Sequence, residues 1–428
     1  MAKFYAFQSC TGNQEPRCVQ VFVISSGPMH AGTGKILLVA TLDTKGDEVA
    51  FLKEQLDKRG RSVCVMDVGT AGSPDFPGDV TRDAVAGRTN AAIGSGGPAE
   101  ALNVMAAGAA EIVNDMFTAG EVSAIAGIGG GKGAGVFHQL TRDLPYGFPK
   151  VLVTSARPAL LAEIATTSDT ILLPTLVDLM GVNRFTRAVL INAANVLGDL
   201  HWANEASRPA KSIAVTAFGV TTPAVQSVLS RLEAADISVI VFPANGAGGR
   251  TMESLIAKGE FDGVIDLTTT EMADLLLAGT ASAGESRLTA AAAAGIPQAI
   301  APGAIDMVNF GPPESIPKHL SDRTTYRHTP MTTLVRTTPD ETAEIASQTA
   351  ARLNQSKGPV AVFWPARGVS DYDRPGNAFH DPAANTSWRD AMKQTLRDGI
   401  PVAETDLHIN DPEFGELCAD WMIEQLNG

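Results

Sequence analysis

"KILLVATLDTKGDEVAFLKEQLDKRGRSVCVMDVG" (residues 35–69) decides the fold. Its opening, 35–43, is a short continuous apolar run, the pattern of a strand covered on both faces. Apolar residues then recur at helical spacing through "EVAFLKEQLDKRG" (48–60), and Gly60 supplies a stop. "SVCVMDVG" (62–69) reads as a second buried strand. Strand, loop, helix and strand in this order make a βαβ unit, and its repetition makes a parallel sheet with helices on both faces.

The order does repeat. Residues 99–118 are Ala-rich and helical, "VSAIAGI" (122–128) is a strand, and a helix starts near Ala134. "PKVLVTSA" (149–156) is the next strand, and the long helix 183–200 closes the first unit. Polar, Pro-containing 201–212 reads as a linker. Strands at 213–219, 238–244, 263–269 and 297–306 then alternate with helices at 222–236, 251–259 and 270–279. The fold class is therefore α/β, with two Rossmann-like doubly wound subdomains of mostly parallel sheet. They span 34–200 and 213–428, after a non-core N-terminal extension, 1–33. Residues 307–332, rich in Pro and polar groups, read as a long loop of the kind that tends to carry function.

Bulk properties agree with two domains. At 428 residues the chain exceeds what one core supports, roughly 250–300 residues. A formal charge of −14 excludes direct binding to a nucleic-acid backbone but leaves room for a small anionic ligand in a local pocket. Cys10, Cys18, Cys64 and Cys418 have no metal-binding spacing, a usage that suits a reducing cytoplasm. No apolar stretch approaches the roughly 20 residues of a membrane span, so no membrane partner is expected. "CVQVFVISS" (18–26) is too short and too weakly led to be a signal peptide.

Ligands of open α/β sheets bind beyond the carboxyl ends of the strands. "DTKGDE" (43–48), "GIGGGKGAG" (127–135) and "TSARP" (154–158) fall there. Without Cβ atoms, Gly129, Gly130, Gly131 and Gly133 let backbone approach a phosphate, and the helix beyond aims its positive end at it. Lys132 and Lys45 would add charge, and Asp43 would help hold a Mg²⁺ ion. A phosphate-loop match fails, because Ala126 replaces its first glycine and Gly133 its Ser/Thr. G-x-G-x-x-A fits Gly129, Gly131 and Ala134, yet the acidic ribose anchor is missing. A phosphate cradle and a turn that permits close helix–strand packing both stand.

In the second half, "PANGAGGR" (243–250) sets Asn245, Gly246, Gly248 and Gly249 between strand and helix with Arg250 as cation, for binding or for packing. The threonines of "LTTTEMAD" (267–274) suit helix capping, and Glu271 is a general acid or base if it faces the cleft. His328 and His408 complete the acid–base candidates. No His pair has metal-ligand spacing.

Several of these stretches, in order, resemble the UPF0261 family, the Tm-1-like group. They include "ATLDTKGDE" (40–48), "GIGGGKGAG", "VDLMGVNRFTRAVLINAANVLG" (177–198), "GAGGRTMESLIAKG" (246–259) and "GPVAVFWPARGVS" (358–370). The resemblance spans about residues 35–420. It implies an ATP site in the first of two Rossmann-like subdomains, and a homodimer. Carried over position by position, the nucleotide residues are Thr41, Asp43, Thr44, Lys45 and Gly46, then Gly129, Gly130, Gly131 and Lys132. Two departures stand out. The second loop gains a lysine where family members often carry "GGSGGT", and "PANG" (243–246) replaces a common "HATG", which removes an imidazole. Three functions follow as expectations: an ATP-binding protein; an enzyme acting on a small anionic metabolite between the halves; or a non-catalytic protein-interaction module that nucleotide orders.

Overall fold

A computed structural model describes residues 34–72, 74, 76–89, 97–202 and 210–428. The expected extension 1–33 and most of the expected linker lie outside the described residues. The first subdomain runs β1 (Lys35–Ala40), α1 (Leu42–Asp57), β2 (Val63–Asp67), α2 (Arg82–Gly87), α3 (Gly97–Thr118), β3 (Val122–Gly129) and α4 (Gly131–Thr141). It continues with β4 (Lys150–Thr154), α5 (Pro158–Thr167), β5 (Ile171–Pro174) and α6 (Arg184–Asp199). All five strands are parallel, in the order β2-β1-β3-β4-β5.

Strand β1 shows why its sequence is an unbroken apolar run. Leu37 and Val39 pack with the α3 and α4 side chains Met105, Ile112 and Phe137, whereas Ile36, Leu38 and Ala40 pack with Leu52, Leu56, Leu190 and Leu197 of α1 and α6. Both faces are covered. Each fully buried aliphatic side chain of this kind contributes about 1.5–3 kcal/mol relative to exposure.

The second subdomain opens with β6 (Ser212–Ala217), α7 (Thr222–Glu233), β7 (Ser238–Pro243), α8 (Ala247–Ala257), β8 (Gly263–Thr268), α9 (Thr270–Leu277), α10 (Ala290–Ala294) and β9 (Gln298–Gly303). Then come β10 (Met307–Phe310), β11 (Thr325–Thr329), β12 (Thr332–Arg336), α11 (Pro339–Leu353), β13 (Val360–Pro365), α12 (Pro382–Thr395), β14 (Val402–Thr405) and α13 (Pro412–Asn427). Its main sheet is parallel, in the order β14-β13-β9-β8-β6-β7. In each main sheet the subdomain's first strand lies between its second and third, so the two halves repeat one winding plan. They meet where Thr251 Oγ1 of α8 donates to the Thr166 carbonyl (3.0 Å) and Lys258 Nζ donates to the Arg142 carbonyl (3.0 Å). Among the described residues no helix is long and apolar enough to cross a membrane.

The structure departs from the sequence expectations at several boundaries. Helix α1 begins at Leu42, so "DTKGDE" is its first turns with a break at Lys45 (φ −126°, ψ 15°) and not a loop. Helix α4 begins at Gly131, ahead of Ala134. Helix α5 and the four-residue edge strand β5 were not foreseen. The stretch 307–332 is no long loop: β10 and β11 flank β12 in a three-stranded antiparallel sheet.

Candidate functional site

In the first sheet β1 and β3 are neighbours, and from them the chain winds in opposite directions: to β2 on one side and β4 on the other. A crevice opens at the carboxyl ends of strands at such a point. Ala40 lies opposite Ile128 in the register, so Thr41 comes level with Gly129, where the two strands end. The expected Thr41–Gly46 and Gly129–Gly133 segments therefore do come together.

The opening of α4 divides its glycines by role. A Cβ on Gly127 would lie 2.5 Å from the Phe137 ring, and one on Gly129 would lie 3.0 Å from Gly133 Cα. Those glycines let the helix close on the strand. Gly131 is different, since a Cβ there would meet nothing within 4 Å and its φ is not positive. The chain's own packing does not require glycine at that position. Gly130 caps the helix without a side-chain bond, and Ala134 N–H donates to its carbonyl (2.9 Å). The N–H groups of Gly131, Lys132 and Gly133 have no acceptor among the described residues. These are the first-turn donors that a helix cannot satisfy internally. Lys132 is exposed beside them.

The opening of α1 is, by contrast, mostly satisfied. Leu42 N–H donates to Asp67 Oδ1 (3.1 Å), and the Thr44 and Lys45 amides donate to the Thr41 carbonyl (3.0 and 2.9 Å). Arg82 holds the same Asp67 carboxylate through Nε (3.0 Å) and Nη2 (2.9 Å). The Thr41 and Thr44 hydroxyls bond each other (2.9 Å). Lys45 donates its ammonium to the Leu179 carbonyl, which ties the β5–α6 loop down. Gly181 N–H donates to Glu48 Oε1 (2.9 Å) in the same loop. Asp43 Oδ2 accepts from Ala71 N–H (3.0 Å), whereas Oδ1, buried, has no partner among the described residues. A cavity of 340 Å³ opens beside Asp43, Thr44, Gly46 and Phe76.

Sequence reading missed Ser155 and Asp178. Ser155 Oγ lies 3.6 Å from where a Gly130 Cβ would stand, and it donates to Asp178 Oδ1 (3.0 Å). The place of its segment, "TSARP", at a strand end is the one signal that points to it, and that signal does not single out a residue.

The second half corrects three expectations. Glu271 does not face a cleft; it is fully buried. Its Oε1 accepts from Gly246 N–H (2.7 Å) and Gly249 N–H (3.2 Å), and its Oε2 accepts from Arg287 Nε (2.6 Å). The carboxylate thus fills the glycine loop of Asn245–Gly249. A Cβ on Gly249 would stand 2.3 Å from Glu271 Oε2, and one on Gly248 1.9 Å from the Pro243 carbonyl oxygen. Gly246 has φ +87°, and Asn245 Oδ1 accepts from Gly248 N–H (3.0 Å). Packing and self-capping account for this loop. Arg250 does not serve it; its Nη1 donates to the Ser282 carbonyl (2.8 Å).

His408 is the second correction. Buried, its Nδ1 accepts from Asn410 N–H (3.0 Å), which leaves Nε2–H to donate to the Ser370 carbonyl (3.0 Å). Burial lowers its pKa, so it is a neutral structural imidazole with both nitrogens engaged. His328 is the third: it sits on exposed β11, where Nδ1 bonds the Tyr372 hydroxyl (2.9 Å). The three acid–base candidates share no hydrogen bond with one another. Among the described residues, no group of three or more His, Cys, Asp and Glu side chains is arranged to hold a metal.

Arg287, fully buried, also binds Glu253 Oε1 through Nη1 (3.1 Å) and Asp266 Oδ1 through Nη2. Burial opposes its charge, but Asp266, Glu271 and Glu253 outweigh that and hold it protonated.

Two doubly wound subdomains, one with open amides at its strand-crossover point and one whose glycine loop is closed by a carboxylate, define a two-part α/β protein built twice on the Rossmann-like plan. A model of the uncharacterised protein family UPF0261, N-terminal domain, matches residues 34–204, and the model of its C-terminal domain matches 210–426. The chain belongs to the UPF0261 family. It is 38% identical over 398 residues to a UPF0261 protein of Rhizobium meliloti (strain 1021), covering 90% of this chain and 97% of the relative. It is 36% identical over 405 residues to a UPF0261 protein of Clostridium tetani, covering 92% and 99%. It is also 32% identical over 423 residues to the ToMV resistance protein Tm-1(GCR237) of Solanum lycopersicum, covering 92% of this chain but 56% of that protein.

Proposed function

We propose that the first subdomain is a nucleotide-binding module that takes ATP with its Mg²⁺ at the crevice between β1 and β3. The observation that carries this reading is the trio of unpartnered amides at Gly131, Lys132 and Gly133, opened by a glycine that packing does not require. Backbone N–H groups and the helix dipole at a helix opening favour phosphate. The residues fit the rest of the ligand. Lys132 is free to offset phosphate charge, the Thr41 and Thr44 hydroxyls border the crevice, and Asp43 Oδ1 has an unused acceptor for the cation. A 340 Å³ cavity lined by Asp43 and Thr44, with Gly46, Asp47, Glu48 and Phe76, opens beside the proposed cation ligand.

Titration calorimetry with ATP, with and without Mg²⁺, tests the reading. Saturable binding that Mg²⁺ tightens, with the Mg²⁺ gain lost in Asp43→Asn, supports it; an asparagine still accepts from Ala71 N–H, so the fold survives the change. Absence of saturable binding in both conditions contradicts it.

A further inference from the structure

A cavity of 710 Å³ lies in the second subdomain, walled by α8, α10, the end of α11 and the turn before β13. Three cations line it: Arg250, Arg352 and Lys357. Such a cluster stands out in a chain with 47 acidic and 33 basic residues. Arg250 uses one nitrogen, Nη1, on the Ser282 carbonyl, and Lys357 Nζ has no acceptor among the described residues. Arg352 donates to the Gln348 carbonyl (3.0 Å) and to Glu285 (3.2 Å), whose carboxylate is 87% exposed. A pair with one partner that exposed contributes little and exchanges readily.

One acid, Glu253, belongs to the lining, and both its oxygens are engaged. Its Oε1 accepts from Arg287 Nη1 (3.1 Å) and Leu288 N–H (2.6 Å), and its Oε2 from the Thr289 (3.2 Å) and Ala290 (2.8 Å) amides. It occupies the Leu288, Thr289 and Ala290 amides at the start of α10. Three cations against this one acid leave the lining net positive. Alanines at 257, 290, 292 and 293 leave the space unfilled, and Ser254 and Thr289 add hydroxyls at its wall. The volume lies inside the range of small-molecule sites, roughly 300–1,000 Å³.

We infer that this cavity is a second ligand site, separate from the nucleotide crevice, for a small molecule carrying two or more oxyanion groups. Arg250 and Lys357 grip the anionic ends, the alanine floor takes a compact apolar middle, and Arg352 exchanges Glu285 for the ligand. Carboxylates and phosphates share this chemistry, so the test uses one of each.

Full-length protein is titrated calorimetrically with citrate and with pyrophosphate. At least one is expected to bind saturably, to bind about tenfold more weakly to the double variant Arg250→Gln/Lys357→Gln, and to keep that Arg250- and Lys357-dependent component of binding in Gly131→Val. Citrate alone assigns a polycarboxylate, and pyrophosphate alone assigns a phosphate ester. Independently of any variant, the bound probe should protect Lys357 from acylation, read by peptide mass spectrometry. No saturable binding of either probe, binding indifferent to the double variant, or binding lost in Gly131→Val overturns the inference.

Discussion

Two glycine loops in this molecule look alike in sequence and behave as opposites. In "GIGGGKGAG" the amides of Gly131, Lys132 and Gly133 lack acceptors among the described residues, and a side chain on Gly131 would meet open space. In "NGAGGR" the Gly246 and Gly249 amides are held by the Glu271 carboxylate, and side chains on Gly248 or Gly249 would collide with Pro243 or Glu271. The second loop shows what the first lacks: an anion. In one half the protein supplies that anion itself, and in the other the proposed phosphate arrives from solution. Glycine content does not distinguish a binding loop from a packing loop. Whether the chain already occupies its own amides does.

The filled loop depends on Arg287, so the largest effect is expected there. Arg287→Met leaves Glu253, Asp266 and Glu271 buried without their cation. Breaking a buried ionic cluster in this way costs about 3–5 kcal/mol. Urea unfolding measures it, and a change below about 1 kcal/mol would mean that Glu271 is held by the loop amides alone.

Matched glycine substitutions sharpen the contrast. Gly248→Ala places a Cβ 1.9 Å from the Pro243 carbonyl oxygen, an overpacking that costs about 1–3 kcal/mol. Gly131→Ala meets nothing and restricts the unfolded chain, so it should stabilise by about 0.4–1 kcal/mol. Thermal midpoints of the two variants should move in opposite directions. Movement in the same direction breaks the comparison.

A pH-dependent effect reports on the buried polar cluster around Asp306. Burial pushes the Asp306 carboxyl from 3.8 up to about 7, against the pull of Arg336 and with the charge of Asp373 adding to the push. Its Oδ2 accepts from Ser370 Oγ (2.7 Å), and its Oδ1 has no partner among the described residues. Between about pH 4 and 7 the folded state holds a proton that the unfolded chain has released, so stability falls as pH rises through that window. Asp306→Asn removes this contribution, and its thermal midpoint should decline less from about pH 5 to 8 than that of the wild type. Asp274, also raised to about 7 chiefly by burial, keeps part of the slope. An unchanged slope would place the titration elsewhere.

The strands were legible because burial on both faces writes itself as unbroken apolar runs, as in β1, β3 and β8. The winding plan followed from their alternation with helices. What escaped had little such signal. β5 is four residues at a sheet edge ending in proline, and β11 is five exposed polar residues, so neither shows a buried period. Helices α1 and α4 begin earlier than expected because tertiary bonds and close packing at Thr41–Leu42 and Gly129–Gly133 override weak local propensity. The positions of Asp43 and Gly131 were readable from their place at strand ends, whereas Thr41 came from the family resemblance. The role of Glu271 was not, because its partners lie 25 and 22 residues upstream and 16 downstream, and spacing alone does not announce a buried ion cluster.

Receipt of a phosphate by the open amides of α4 is the central claim. Gly131→Val tests it most directly, because a Cβ at that position meets nothing in the folded chain and the variant should keep its structure. Calorimetric titration of wild type and variant with Mg-ATP is the measurement. The wild type is expected to bind. The variant, with its branched side chain standing over the three amides, should bind at least about tenfold more weakly while unfolding at nearly the same temperature. Equal affinity in the two proteins would contradict the claim.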